Sequence, residues 1–175
     1  MISKEELFGF FSIYLNSNCI PYVVGTHDKP DYTMKYYAEN ALGGYVEGCV
    51  WLYEKSAEIR AYYNEETSNL CKKSINHFDL LEVINYINAR VFLNCGDHSL
   101  FMPRMYLTAD DCYDICLTTI VDYKIIETYT KETFEYTTNY CPELLNMLAD
   151  PILNVITGDI SAEEAIAQID REILS

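Results

Sequence analysis

The chain has 175 residues, half of them hydrophobic and 22% charged, with 12 Lys and Arg against 27 Asp and Glu, a formal charge of −15. That length and apolar content suit one domain, 1–175, able to bury a sizeable core without disulfides or metals, and they exclude a disordered chain. A surface this acidic repels phosphate backbones and anionic headgroups, so neither nucleic acid nor membrane is expected as a partner.

Ser3 and Glu6 form an S-x-x-E capping box that opens the first helix, and Ile2 is placed to staple onto Leu7. Leu7, Phe10, Phe11, Tyr14 and Leu15 recur at helical spacing and give the helix one apolar face; Asn16, Ser17 and Asn18 end it. Ile20 to Gly25 has strand composition, and Tyr32 to Ala38 reads as strand or irregular edge. After a turn at Gly43-Gly44, Tyr45 to Tyr53 alternates Val46, Gly48, Val50 and Leu52 on one face with Tyr45, Glu47, Cys49, Trp51 and Tyr53 on the other. Glu54-Lys55-Ser56 connects to a further strand, Glu58 to Tyr63, in which Ile59, Ala61 and Tyr63 alternate with Glu58, Arg60 and Tyr62. Strands joined by short turns predict an antiparallel meander.

The second helix is expected from Asn76, an N-cap, with Asp79 in its first turn and Leu80, Leu81, Ile84, Ile87 and Asn88 at helical spacing. Val91-Phe92-Leu93 turns to strand composition, and Leu100 to Leu107 reads as a strand whose Pro103 implies an edge or a bulge. Thr108 to Ile126 carries helix and strand signals together; the β-branched run Leu117 to Val121 favours a strand. The C-terminal segment, 124–175, is helical. Pro142 suits a first helical position, and Asp150-Pro151 repeats that cue for Ile152 to Thr157, which stops at Gly158. Ser161 and Glu164 cap a last helix with Ala165, Ile166, Ile169 and Ile173 inward. The expected fold is α+β: an antiparallel sheet of about five to six strands packed by N-terminal, central and C-terminal helices.

Seven cysteines at irregular spacing make a poor disulfide framework and read as small buried hydrophobes of a reducing compartment. The N-terminal MISKEELFGFF lacks the pattern of a secretory leader, and no stretch approaches 18 apolar residues, so a cytoplasmic protein is expected. Cys95, Asp97 and His98 place thiolate, carboxylate and imidazole within four residues. His27 lies near Asp28 and Asp31, and Cys112 near Cys116, but none of these groups has metal-ligand spacing. On a strand Cys112 and Cys116 would lie about 13 Å apart and be inert. No nucleophile elbow, phosphate loop or H-E-x-x-H motif is present, and the paired carboxylates Glu5-Glu6, Glu65-Glu66, Asp110-Asp111 and Glu163-Glu164 sit at caps and turns as solvated charge. No catalytic residue and no cofactor is therefore expected.

The aromatic load, with 16 Tyr, seven Phe and one Trp, is the sharper signal. Alternation gathers Tyr45, Trp51 and Tyr53 on one face with Glu47, and Tyr62 follows on the next strand. A half-polar aromatic face of this kind is either an amphipathic sheet with tyrosine tips in water or a protein interface. Tyr45, Trp51, Tyr53 and Tyr62 are the candidate interface residues. An acidic, Tyr-rich surface would suit a basic or amphipathic partner segment.

Several stretches in order resemble the YbjN-type family, whose members share the fold of type III secretion chaperones: "CIPYVV", "YVEGCVWLYEKSAEIRAYYNE", "FDLLEVINYINARVF", "LFMPRMYL", "YDICLTTIV" and "PILNVITGDISAEEAIAQID". The segment between Tyr123 and Asp150 departs from that pattern. The resemblance implies an antiparallel sheet packed by helices, often dimeric, in a chaperone-like or regulatory protein that binds other proteins, with no active-site residues to carry over. The expectation is thus a non-enzymatic, protein-binding bacterial cytosolic protein, with a protein partner or a homodimer. The alternatives are a small thiol- or metal-dependent enzyme using Cys95, Asp97 and His98, and an acidic immunity or antitoxin-like protein that neutralises a basic toxin.

Overall fold

The computed structural model describes residues 2–92, 100–108 and 111–174. Helix α1 (Lys4–Ser17) leads into strands β1 (Tyr22–Val24), β2 (Tyr32–Tyr37), β3 (Tyr45–Leu52) and β4 (Ser56–Tyr63). Helices α2 (Glu65–Lys73) and α3 (His77–Tyr86) follow, then a π-helical turn, Ile87–Val91. Strands β5 (Arg104–Leu107) and β6 (Ile115–Asp122) complete the sheet, and α4 (Tyr123–Thr128), α5 (Thr130–Glu135), a second π turn (Tyr136–Tyr140), α6 (Cys141–Thr157) and α7 (Ala162–Glu172) close the chain. Among the described residues the six strands form one sheet in the order β1-β2-β3-β4-β6-β5, and every neighbouring pair is antiparallel. This is the expected α+β architecture.

The helices gather on one face of the sheet. Tyr32, Met34, Val46, Val50, Leu52, Ile59, Tyr63, Leu117 and Val121 point into that core and are almost fully buried. The buried tyrosines avoid the cost of an unpaired hydroxyl by reaching a main-chain carbonyl. Tyr32 Oη donates to Phe8 O of α1 at 2.6 Å, and Tyr63 Oη to Leu145 O of α6 at 2.7 Å. Tyr123 Oη donates to Tyr53 O at 2.7 Å. Gly48 is required here by close approach, because a Cβ would stand 2.8 Å from the Tyr36 ring.

Both capping boxes form, at Ser3/Glu6 and Ser161/Glu164. Leu7, Phe11 and Leu15 of α1 are buried, whereas Phe10 is half exposed and stands off the core face. Gly43 and Gly44 make the expected turn with positive φ, at 73° and 76°. The segment 32–37 is a regular strand, β2, paired with β3 along its length and with β1 over Tyr32–Met34.

Three expectations are corrected, and one helix is added. Helix α2 has no counterpart in the periodicity analysis because the residues it buries, Thr67, Ser68 and Cys71, are small and mostly polar. Its signal is the Asn64 cap, whose Oδ1 accepts from Glu66 N and Thr67 N. Val91 and Phe92 are not strand; the backbone of α3 winds on through the π turn, and both side chains are buried. Strand β5 is half the expected length. It begins after Pro103, while Leu100 and Phe101 lie in a helical turn. Finally, Pro142 stands in the first turn of α6 as expected, but Pro151 does not open a new helix. Tyr140 has helical angles (φ −65°, ψ −48°), so α5, the π turn and α6 run on without a stop, and Pro151 lies inside α6.

The β5 edge of the sheet is closed by a side chain. Asn88, on the first π turn, donates Nδ2 to Met105 O and accepts from Met105 N, each at 2.8 Å. One amide thus satisfies the outward donor and acceptor that another strand would need.

Candidate interaction surface on the open face of the sheet

The residues alternating with the core positions project from the other face. They are Lys35 and Tyr37 on β2, Tyr45, Glu47, Cys49 and Trp51 on β3, and Glu58, Arg60 and Tyr62 on β4, with Cys116, Thr118 and Ile120 on β6 and Arg104 and Tyr106 on β5. The register stacks them across strands: Trp51 opposite Glu58, Cys49 opposite Arg60, and Tyr62 between Glu47 and Cys116.

Two ion pairs organise the surface. Arg60 Nε donates to Glu58 Oε1 at 2.7 Å, and Tyr53 Oη donates to Glu58 Oε2 at 2.7 Å. Thr118 Oγ1 adds a longer bond to Glu58 at 3.4 Å. Burial pushes the Glu58 carboxyl upward, but these hydrogen bonds and the Arg60 charge outweigh it and hold the group below the usual carboxylate range. The same bond raises the Arg60 and Tyr53 values. On β2 and β3, Lys35 Nζ lies 3.2 Å from Glu47 and 4.5 Å from the centre of the Tyr45 ring, a cation–π contact.

Between these pairs lies a groove of about 260 Å³ floored by Cys49, Trp51, Arg60, Tyr62, Tyr106 and Cys116. Burial pushes the Cys49 thiol up to about 12 and raises Cys116 as well, so both stay protonated near neutrality and lack the thiolate that nucleophilic chemistry needs. Burial also lifts the Tyr106 phenol to about 12. The groove therefore presents protonated thiols and phenols around one internally compensated ion pair, with the Asp114 carboxylate also in its lining: a surface for contact, with hydroxyls to donate hydrogen bonds.

Of the four candidate interface residues, Trp51 and Tyr62 line this groove, and Tyr45 and Tyr53 lie outside its lining. Tyr45, Trp51 and Tyr62 project half-buried from the face, and Tyr53, just beyond β3, leans back to Glu58. Sequence reasoning placed Glu58 and Arg60 on the strand without nominating them, although their i, i+2 spacing was a readable sign of a same-face pair. Tyr106 and Cys116 carried no local sign, because they join the group only through the β4-β6-β5 strand order.

Cys95, Asp97 and His98 lie outside the described residues. Among the described residues no group of three or more His, Cys, Asp and Glu could hold a metal ion. His27 and Asp28 are exposed, while Asp31 is occupied by Lys4 at 3.3 Å and by Leu52 N at 2.7 Å. Cys112 is exposed in the turn before β6 and is not on the strand that carries buried Cys116. No helix among the described residues is long and apolar enough to cross a membrane. Comparison with family models, with curated proteins and with solved structures finds no match.

Proposed function

We propose that this chain is a cytosolic protein-binding protein, chaperone-like or regulatory in kind, which acts by association through the open face of its sheet and turns over no substrate. The carrying observation is that face: six strands with their helices gathered on the far side, and Trp51, Tyr45, Tyr62 and Tyr106 held half-buried on the near side. Trp, Tyr and Arg are the residues that dominate binding energy at protein interfaces, and here Arg60 is held by Glu58 and Tyr45 lies against Lys35. The protonated thiols favour contact over nucleophilic catalysis. The resemblance to YbjN-type proteins accords with this reading.

The size is adequate. Strands of three, six, eight, eight, four and eight residues give thirty-seven in all. At a rise of about 3.3 Å and a spacing of about 4.8 Å they span roughly 600 Å². Specific interfaces take about 800 Å² per partner, and the flanking loops supply the remainder.

The test is site-specific photo-crosslinking in cells, with a benzophenone side chain at position 51 and, for comparison, at Phe78, an aromatic that is 82% exposed on α3. Discrete protein adducts from position 51 and not from 78 are expected. Equal adducts, or none at 51, would overturn the reading.

A further inference from the structure

We infer that the occupant of the open face is an extended segment of a partner protein that carries Lys or Arg side chains alternating with apolar ones. This rests on the protein-binding reading above and specifies the chemistry of the partner.

A second groove, of about 300 Å³, opens at the end of the face where β4 hands over to α2. It shares Tyr62 and Asp114 with the aromatic groove. Its acidic lining residues are Glu47, Glu65, Asp111 and Asp114, against a single cation, Lys72. Lys72 Nζ donates to the main-chain oxygen of Asp111 at 2.9 Å and is in none of the ion pairs among the described residues. Asp114 Oδ1 accepts from Ser68 Oγ at 2.5 Å, which fixes its direction. Glu47 is held by Lys35, whereas none of the ion pairs among the described residues involves Glu65, Asp111 or Asp114.

The two grooves differ in what they ask of an occupant. In the first, Arg60 is compensated by Glu58 and the one carboxylate of the lining, Asp114, is the one shared with the second groove, so its floor is aromatic and takes apolar or planar groups. In the second, with Glu47 compensated by Lys35, the three carboxylates of Glu65, Asp111 and Asp114 still outnumber the one cation, so it takes a positive charge. Same-side residues of an extended segment are about 6.6 Å apart and reach adjoining sites in turn. The charge of −15 on the whole chain draws such a segment in and disfavours a second copy of this chain, which would bring another −15.

The experiment titrates the full chain with a short synthetic peptide alternating lysine and leucine, and with its counterpart in which glutamate replaces lysine. The readout is the fluorescence of Trp51, the one tryptophan. The lysine peptide is expected to shift Trp51 emission saturably and the glutamate peptide to leave it unchanged. Glu65→Gln with Asp114→Asn is expected to weaken binding about tenfold. Glu132→Gln with Glu163→Gln, which removes the same charge from α5 and α7, is expected to change it less than about twofold. Thermal melts check that each pair folds, and Glu65→Gln alone, outside the Ser68 bond, gives the same direction if Asp114→Asn unfolds the chain. Equal weakening by both pairs overturns the inference, since it reports diffuse attraction to an acidic chain. Failure of the lysine peptide, with a dimer in light scattering that Trp51→Ala dissolves, overturns the inference and leaves the protein-binding reading standing. Failure of both peptides with no association through Trp51 overturns both.

Discussion

On β4, Ala57, Ile59, Ala61 and Tyr63 point toward the helices, and Glu58, Arg60 and Tyr62 point away from them. Two neighbours of opposite sets are almost equally covered: Ile59 retains 2% of its exposure, and Glu58, with a charge to hydrate, retains only 8%. The means differ. Ile59 is buried by other elements, α1 and the C-terminal helices, through apolar transfer. Glu58 is buried by its own face, under Arg60, Tyr53 and Thr118, through hydrogen bonds that replace water. A face that is ordered by its own side chains stands ready without a partner, and a partner then loses less conformational freedom in binding it.

The two faces should separate sharply under mutation. Leu117→Ala on the covered face empties a fully packed position and is expected to lower stability by about 3 kcal/mol in urea unfolding. Breaking the open face at its charge centre is the next largest effect. Glu58→Gln leaves Arg60 without its counter-charge, but Arg60 keeps over a third of its side chain in solvent, so screening holds the cost to about 1–2 kcal/mol at pH 7. The sign with pH follows from the carboxyl being held below its ordinary value of 4.5 in the folded chain. Its stabilisation is complete above that value and is lost as pH falls through the folded one. The gap between wild type and Glu58→Gln should therefore close in acid. A gap that stays constant down to pH 3 would show that packing, and not charge, is what the substitution removes.

Tyr63→Phe, which removes one hydroxyl from the covered face, should cost about 1 kcal/mol through the lost bond to Leu145 O. Smallest of all in stability should be Trp51→Ala, at less than about 1 kcal/mol, because the ring has no helix above it. It should nevertheless have the largest effect on association. If Trp51→Ala destabilises the chain as much as Leu117→Ala does, Trp51 belongs to the core and the contrast between the faces collapses.

The parts of the fold that were legible in the sequence are those with local causes. Ser3/Glu6 and Ser161/Glu164 announce helices because a cap bonds three residues ahead. The alternation on β3 and β4 is readable because a strand turns successive side chains to opposite faces, and it placed Tyr45, Trp51, Tyr53 and Tyr62 together. Helix α2 was not legible by periodicity, since Thr67, Ser68 and Cys71 bury without looking apolar. Pro142 marked the first turn of α6 correctly, whereas Pro151 misled, because a proline is also compatible with the interior of a helix whose neighbours tolerate a missing bond.

The candidate site divides in the same way. Trp51 and Tyr62 of β3 and β4 were named from alternation and aromatic content, while Tyr106, Cys116, Asp111 and Asp114 were not, because more than fifty residues separate β6 from the β4 strand it pairs with. By itself the sequence determined the antiparallel α+β class, the caps and the two-sided character of each strand, all set by hydrogen bonds and side-chain directions within a few residues. Only the tertiary structure decided the order β4-β6-β5 and with it the acidic groove beside the aromatic one. Strand order is settled by which distant surfaces bury the most apolar area together, and a two-residue period carries no record of that.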